Sequence, residues 1–371
     1  MTNKTDYLII GAGLSGLYMA HQLEKMGKNY RLIEARDRIG GRILSSTIKH
    51  SDTALTPLDK IDMGPSWFWP QMHPRITQLI DDLVLPVFPQ YSQGAYLVEN
   101  HSNSAPMRYD SGFEQSPTSM RIAGGMQNLV DTILNQLPKN QIQLNSVVTH
   151  VHHQTNCVSS VIIKNNNTEE TIDATHIIFA LPLRLLADSI TFIPSLPKEV
   201  AHHFSSTTTW MAAHAKFFAV YETPFWRNSG LSGSASSRVG PLVEIHDAST
   251  FDGTGALFGF VGVDSITREN AGSTVIKQAA IEQLTRIFGA QASSPTDVKL
   301  VDWSQEKYTA TQDDRQAPTS HPHYGLPSSA KKLHQLNWYF AGTESAEDNG
   351  GYLEGALEAA DLVLAQLDLS E

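Results

Sequence analysis

Short apolar runs and amphipathic stretches alternate along the first forty residues. Tyr7–Ile10 is a brief apolar run, Leu14–Met26 carries helical spacing that stops near Gly27, and Tyr30–Glu34 is a second apolar run. That order predicts a βαβ opening, with parallel strands and a crossover helix. Residues 72–93 carry a further helical period, and residues 94–121 are polar, proline-punctuated and poorly periodic. A helix is predicted from Gly125 to the stop at Pro138, then strands at 141–151, 157–164 and 176–180. The middle changes character: 210–221, 241–247 and 255–263 read as half-buried or central strands between Gly/Ser-rich turns. A helix follows from Ser273, read as its N-cap, to Phe288, and WYFAG at 338–342 is a last short strand before a helix opened by Tyr352.

Size and charge narrow the class. At 371 residues the chain exceeds the usual single core, so two domains are expected. A formal charge of -11 leaves no basic surplus to recruit nucleic acid or an anionic membrane, which points to a small-molecule partner. Cys157 is the only cysteine; it sits in an alternating apolar run and reads as a buried strand thiol, so no internal disulfide is expected. The opening apolar run is too short and glycine-interrupted for a signal peptide, and no stretch of 18 apolar residues occurs, so a cytoplasmic protein without a membrane anchor is expected. His150, His152 and His153, and His202 with His203, lack companion ligands at metal spacing, so no metal is expected.

The chemistry begins at GAGLSG, residues 11–16, a G-x-G-x-x-G turn between a strand and a helix. Gly11 permits the turn, Gly13 admits a pyrophosphate to the backbone around Leu14 and Ser15, and Gly16 lets helix and sheet approach. Glu34 ends the second strand, where a carboxylate accepts both hydroxyls of an adenosine ribose and disfavours a 2′-phosphate. Ala35 and Arg36 follow, with Arg36 placed to flank the adenine or to lie on the surface. A second glycine turn, Gly40–Gly41, then carries Arg42 toward the pyrophosphate, which suits a long, embedded cofactor better than plain NAD.

These motifs resemble those of the flavin-containing amine oxidases, the monoamine and polyamine oxidase group. The likeness runs through GAGLSG, EARDRIGGR, IDMGPSWF at 61–68, RIAGGMQNLVDTI, VVTHV, HIIFALP, HAKFFAVYETPFW, DWSQEKY and FAGTESAEDNGGYLEGALEAA. It implies an α/β FAD-binding domain of Rossmann type, with glutathione-reductase-like topology, and an interleaved α+β substrate domain on a mixed or antiparallel sheet. The expected division is 1–80, 122–195 and 306–371 for FAD, with 81–121 and 196–305 for substrate. By the same resemblance Met63, Gly64, Pro65 and Ser66 contact the cofactor, and Val148 presents its backbone to the adenine. Gly342, Thr343 and Glu344 bring a strand end to the diphosphate and ribityl chain, while Gly351, Tyr352 and Leu353 lie under the pyrimidine side of the ring. A helix N-terminus there stabilises the anion of a reduced flavin. Lys216 matches the lysine that reaches flavin N5 through a water, Trp303 the tryptophan packed near the ring, and Tyr352 one wall of an aromatic amine cage.

Two departures stand out. Counting forward from Trp303, Gln312 falls where monoamine oxidases carry the flavin-linking cysteine, so FAD is expected to be noncovalent. Asp313 falls at the second cage tyrosine, unless a shift of register brings Tyr308 or Tyr324 there; the pair Asp313–Asp314 could attract a second ammonium or cap a turn. The stretch 72–121 is also short for the helical part of a substrate domain, which implies an open pocket. The expected activity is oxidation of an amine C–N bond to an imine with dioxygen as acceptor, giving hydrogen peroxide and, after hydrolysis, an aldehyde or ketone. A flavin-dependent C–C desaturase or isomerase and a catalytically silent flavin-binding partner are the alternatives. Monomer and homodimer are both open. His321 and His323 flank Pro322 in a loop that could overlie the pocket.

Overall fold

The computed structural model describes residues 3–48, 58–110, 116–154, 158–165 and 168–367; Cys157 lies outside them. The strands Lys4–Ile10 and Tyr30–Ile33 pair in parallel around the helix Leu14–Lys25, which gives the βαβ opening the apolar pattern predicts. The twelve-residue strand Thr168–Phe179 does two jobs. Its C-terminal half pairs in parallel with Lys4–Ile10 on one side and Trp338–Phe340 on the other. Its N-terminal half pairs antiparallel with Ser159–Asn165, which pairs antiparallel with Val147–His153. Late strand and early strand thus meet in one eight-stranded sheet. On one face of it lies a core of Leu17, Leu23, Ile76, Leu129, Ile133 and Leu357, contributed largely by helices.

A second sheet of seven strands is mixed. Ala215–Tyr221 pairs antiparallel with both Gly255–Val261 and Asp297–Asp302, whereas Leu231–Ser237 runs parallel to Ala95–Glu99. One face buries Phe217, Ala219 and Leu257 under the helix Ser273–Phe288 through Ile276, Ala280 and Leu284. The other face carries Phe218, Val220 and Phe258 against Ile48, Ile61 and Met63 of the first layer. That seam holds Lys216.

Several expectations change. The polar stretch 94–121 contains the strands Ala95–Glu99 and Met107–Tyr109 and runs into Met120–Ile122; pairing with the distant Leu231–Ser237 supplies the burial of the first, whereas Met107–Tyr109 is exposed and pairs with Ala95–Glu99. The helical period at 72–93 yields a helix only over Pro74–Asp82, since Pro86 and the pairing of Val87–Pro89 with Met120–Ile122 extend the chain beyond it. Residues 210–214 form turns instead of the start of a strand, with Met211 at φ 61. Gly272, not Ser273, caps the long helix. The helix Lys198–Ser206 packs Val200 and Phe204 into the core with Leu8 and Trp338 of the first sheet.

Candidate active site

One cavity of about 570 Å³ runs from the N-terminal glycine turn to the start of the helix Leu353–Gln366. At one end Gly11 has φ +104, and a Cβ there would meet the Ala180 carbonyl oxygen at 2.6 Å. A Cβ on Gly13 would meet nothing within 4 Å, so that backbone is open to a ligand. Glu34 is 4% exposed; its Oε2 accepts the Ala12 amide at 2.7 Å and its Oε1 the Arg36 amide at 2.9 Å. Two backbone donors leave further lone pairs directed to the cavity it lines. Val148, Ala35, Gly40, Gly41, Leu14 and Ser15 line the same end. Arg36 lies under Tyr308, with its guanidinium 5.6 Å from that ring and bonded to the Thr309 hydroxyl at 2.8 Å.

The other end is aromatic around one buried amine. Lys216 Nζ donates to the Gly64 carbonyl at 2.7 Å, the Ser66 hydroxyl at 3.0 Å and the Asp62 carbonyl at 3.2 Å, and it stands 4.4 Å from the centre of the Phe258 ring. Burial pulls its pKa down to about 7, whereas the three acceptors match the three donors of the ammonium. The two forms are therefore close in energy near neutral pH. Burial also pushes the Asp62 carboxyl up, and its Oδ2 has no partner. Trp303 is buried and donates Nε1 to the Met63 carbonyl at 3.1 Å. Gly64, Pro65, Ser66, Gly342, Thr343, Gly351, Tyr352 and Leu353 complete the lining at this end.

Four residues expected at the cavity do not line it. Gly16 lies behind the turn, where a Cβ would be 1.9 Å from the Gly11 carbonyl oxygen, so its part is close packing. Met63 acts through its carbonyl on Trp303. Glu344 is wholly buried, and Arg42 closes on it with Nη1–Oε1 at 2.6 Å and Nη2–Oε2 at 3.1 Å, so Arg42 presents the charge and Glu344 orients it. Asp313 is exposed on the 3-10 turn Gln312–Arg315 and faces away, while its neighbour Asp314 is fully buried against Arg184. Position 313 thus supplies neither a cage wall nor an anchor for a second ammonium. Neither tyrosine replaces it: Tyr308 stands over Arg36, and Tyr324 packs on Gly350 with its hydroxyl on the Thr208 carbonyl. Sequence reasoning missed Trp69, Trp210 and Phe260 as lining residues. Their signal was a bare aromatic in a turn or strand, which a core position produces equally well.

The donor set fits FAD. Glycine backbone and a helix N-terminus await phosphates, a buried carboxylate awaits a ribose, and the far glycine pair meets an apolar, ring-lined space that also holds a cation. No cysteine lies among the residues lining the cavity, so a cysteinyl link to the flavin has no donor there.

Fold and site together define a flavin-dependent oxidoreductase. Residues 84–364 match the model of the flavin containing amine oxidoreductase family, and residues 9–83 match an NAD(P)-binding Rossmann-like domain. The chain belongs to that oxidoreductase family. Putrescine oxidase of Kocuria rosea is 22% identical over 98% of this chain and 95% of its own length. Amine oxidase [flavin-containing] B of Sus scrofa is 22% identical over 97% and 85%. Among solved structures, a putrescine oxidase bound to putrescine superposes with a TM-score of 0.78 at 21% identity and 99% coverage of both chains, and cyclohexylamine oxidase from Brevibacterium oxydans at 0.77, 20% and 98%. The alignment with the Kocuria protein spans 478 positions against 371 residues here, so this chain lacks segments that its relative carries. Among the described residues no helix is long and apolar enough to cross a membrane.

Proposed function

We propose that the protein oxidises an amine at its C–N bond to the imine, uses dioxygen as acceptor and releases hydrogen peroxide, with hydrolysis giving an aldehyde or ketone. The observation that carries this reading is that the buried Lys216 amine and Tyr352 line the same cavity as the dinucleotide turn. FAD held by these residues would supply a two-electron acceptor for the amine C–N bond, with dioxygen as the final oxidant. The chain's own contribution is position and proton control. Tyr352 and the surrounding rings orient the amine, and the loss of water at this apolar end favours the neutral, electron-rich nitrogen by desolvation. Lys216 holds or releases a proton at Nζ near neutral pH, at the aromatic end of the cavity. Arg42, held by Glu344, offers fixed positive charge to the diphosphate. The short 72–121 region holds, among its described residues, one nine-residue helix, Pro74–Asp82, and brief strands, and none of those residues lines the cavity, which supports an open approach.

Anaerobic mixing of the FAD-loaded protein with mono-, di- and polyamines, followed by oxygen, tests the reading. Flavin bleaching by an amine and peroxide on reoxidation are expected. Flavin that stays oxidised across the panel but is reduced by a hydrocarbon substrate would instead favour the desaturase.

A further inference from the structure

We propose that Trp210 forms the second aromatic wall of the amine site, inclined to Tyr352, a part that position 313 does not take. The inference rests on the amine-oxidising reading above and deepens it. Trp210 lines the cavity, and its ring lies 6.4 Å from that of Tyr352 at 49°. His321 closes the corner between them, stacked on Tyr352 at 5.1 Å and 8°, with its centre 4.4 Å from Trp210. An organic ammonium is drawn to ring faces within about 6 Å, and indole is the strongest of the three aromatic types.

The loop that carries Trp210 is tied from every side. Asp314 Oδ1 accepts the Thr209 amide at 2.9 Å and Arg184 Nη1 at 2.7 Å. Arg184 also donates to the carbonyls of Ser205 at 2.9 Å and Ser206 at 3.1 Å. Tyr324 holds the Thr208 carbonyl at 2.9 Å, and Arg42 reaches the Trp210 carbonyl at 3.3 Å. Met211 then sits at φ 61, a left-handed conformation that a methionine adopts only under constraint. On the far side the indole rests on Gly351, where a Cβ would fall 2.8 Å from the Trp210 Cβ. So much fixing of one short loop is accounted for if the indole must hold a set position against the late glycines. Asp314 and Arg184 are positioning residues in this scheme; Trp210 touches substrate.

The test uses FAD-loaded protein and benzyltrimethylammonium, a cation with no nitrogen lone pair to drive imine formation. Its binding is followed by calorimetry and by the flavin difference spectrum. Trp210→Leu keeps apolar bulk without a π face and is expected to weaken binding roughly fivefold to thirtyfold, whereas Trp210→Phe stays within about threefold of the parent. In combination with Tyr352→Leu the losses should fall short of additive, as for two walls on one guest. Equal affinity in the Leu and Phe variants, or no binding of the probe to the parent protein, overturns the proposal. If the probe binds as expected and no amine bleaches the flavin, the aromatic site stands and the oxidation reading falls. If amines bleach the flavin while the Leu and Phe variants bind the probe alike, the oxidation reading stands and the role of Trp210 falls.

Discussion

Glu34 and Lys216 show how far single residues carry the chemistry. Glu34 spends one lone pair of each oxygen on a backbone amide, so its carboxylate is oriented before any ligand arrives. Glu34→Gln should therefore weaken FAD binding by about 1.5–3 kcal/mol through loss of charge-assisted bonds, read as the dissociation constant from flavin fluorescence. A change below twofold would remove the ribose assignment. Lys216 titrates at about 7 in the folded chain, against roughly 10.4 when unfolded. Between those values the unfolded chain binds the proton that the folded chain has released, so unfolding free energy rises with pH across that window. Wild-type protein should thus gain on Lys216→Met by up to about 1.4 kcal/mol per pH unit from pH 7 to 9 in urea unfolding. Reoxidation of the reduced flavin should likewise show an inflection near pH 7 that the Met variant lacks. A flat difference in both measurements would mean that the amine does not titrate there.

Elements decide which residues meet. Gly351 opens the helix Leu353–Gln366 at φ +87, with Trp210 against it, so Gly351→Ala combines backbone strain with a collision. A loss of about 1–3 kcal/mol in thermal or urea unfolding is expected, with weaker retention of FAD. Asp314 caps its own short turn, with Oδ2 accepting the Thr311 amide at 3.0 Å and hydroxyl at 2.9 Å, while it anchors Arg184. Asp314→Ala leaves Arg184, 10% exposed at its side chain, without its carboxylate, and a cost of about 3–5 kcal/mol should appear in urea unfolding. Asp313→Ala, on the exposed side of the same turn, should change stability by less than about 0.5 kcal/mol. The pair thus separates the acid that builds the fold from the one that faces solvent.

At the scale of the whole molecule, the cavity lies along the seam between the two sheets, walled by Gly11 and Ile33 on one side and Lys216 and Phe260 on the other. FAD held there stabilises both layers by linkage, so stripping it should lower the melting temperature, and a thousandfold excess over its dissociation constant should restore about 4 kcal/mol. An apoprotein that melts with the holoprotein would contradict a cofactor seated in that seam. The sequence by itself determined the βαβ opening, the glycine turn, Glu34 and the helix after Tyr352, because these depend on neighbours within a few residues and on backbone rules that leave a local imprint. It left out the strands at 95–99 and 107–109, the burial of Asp314 and the placement of Trp210, and it left open whether Asp313–Asp314 cap a turn or meet a second ammonium. Those were decided by tertiary structure alone: Arg184 with Asp314, Arg42 with Glu344 and Trp210 with Gly351 are joined across more than a hundred residues, and no period along the chain records which distant partner will satisfy a charge or cover a ring.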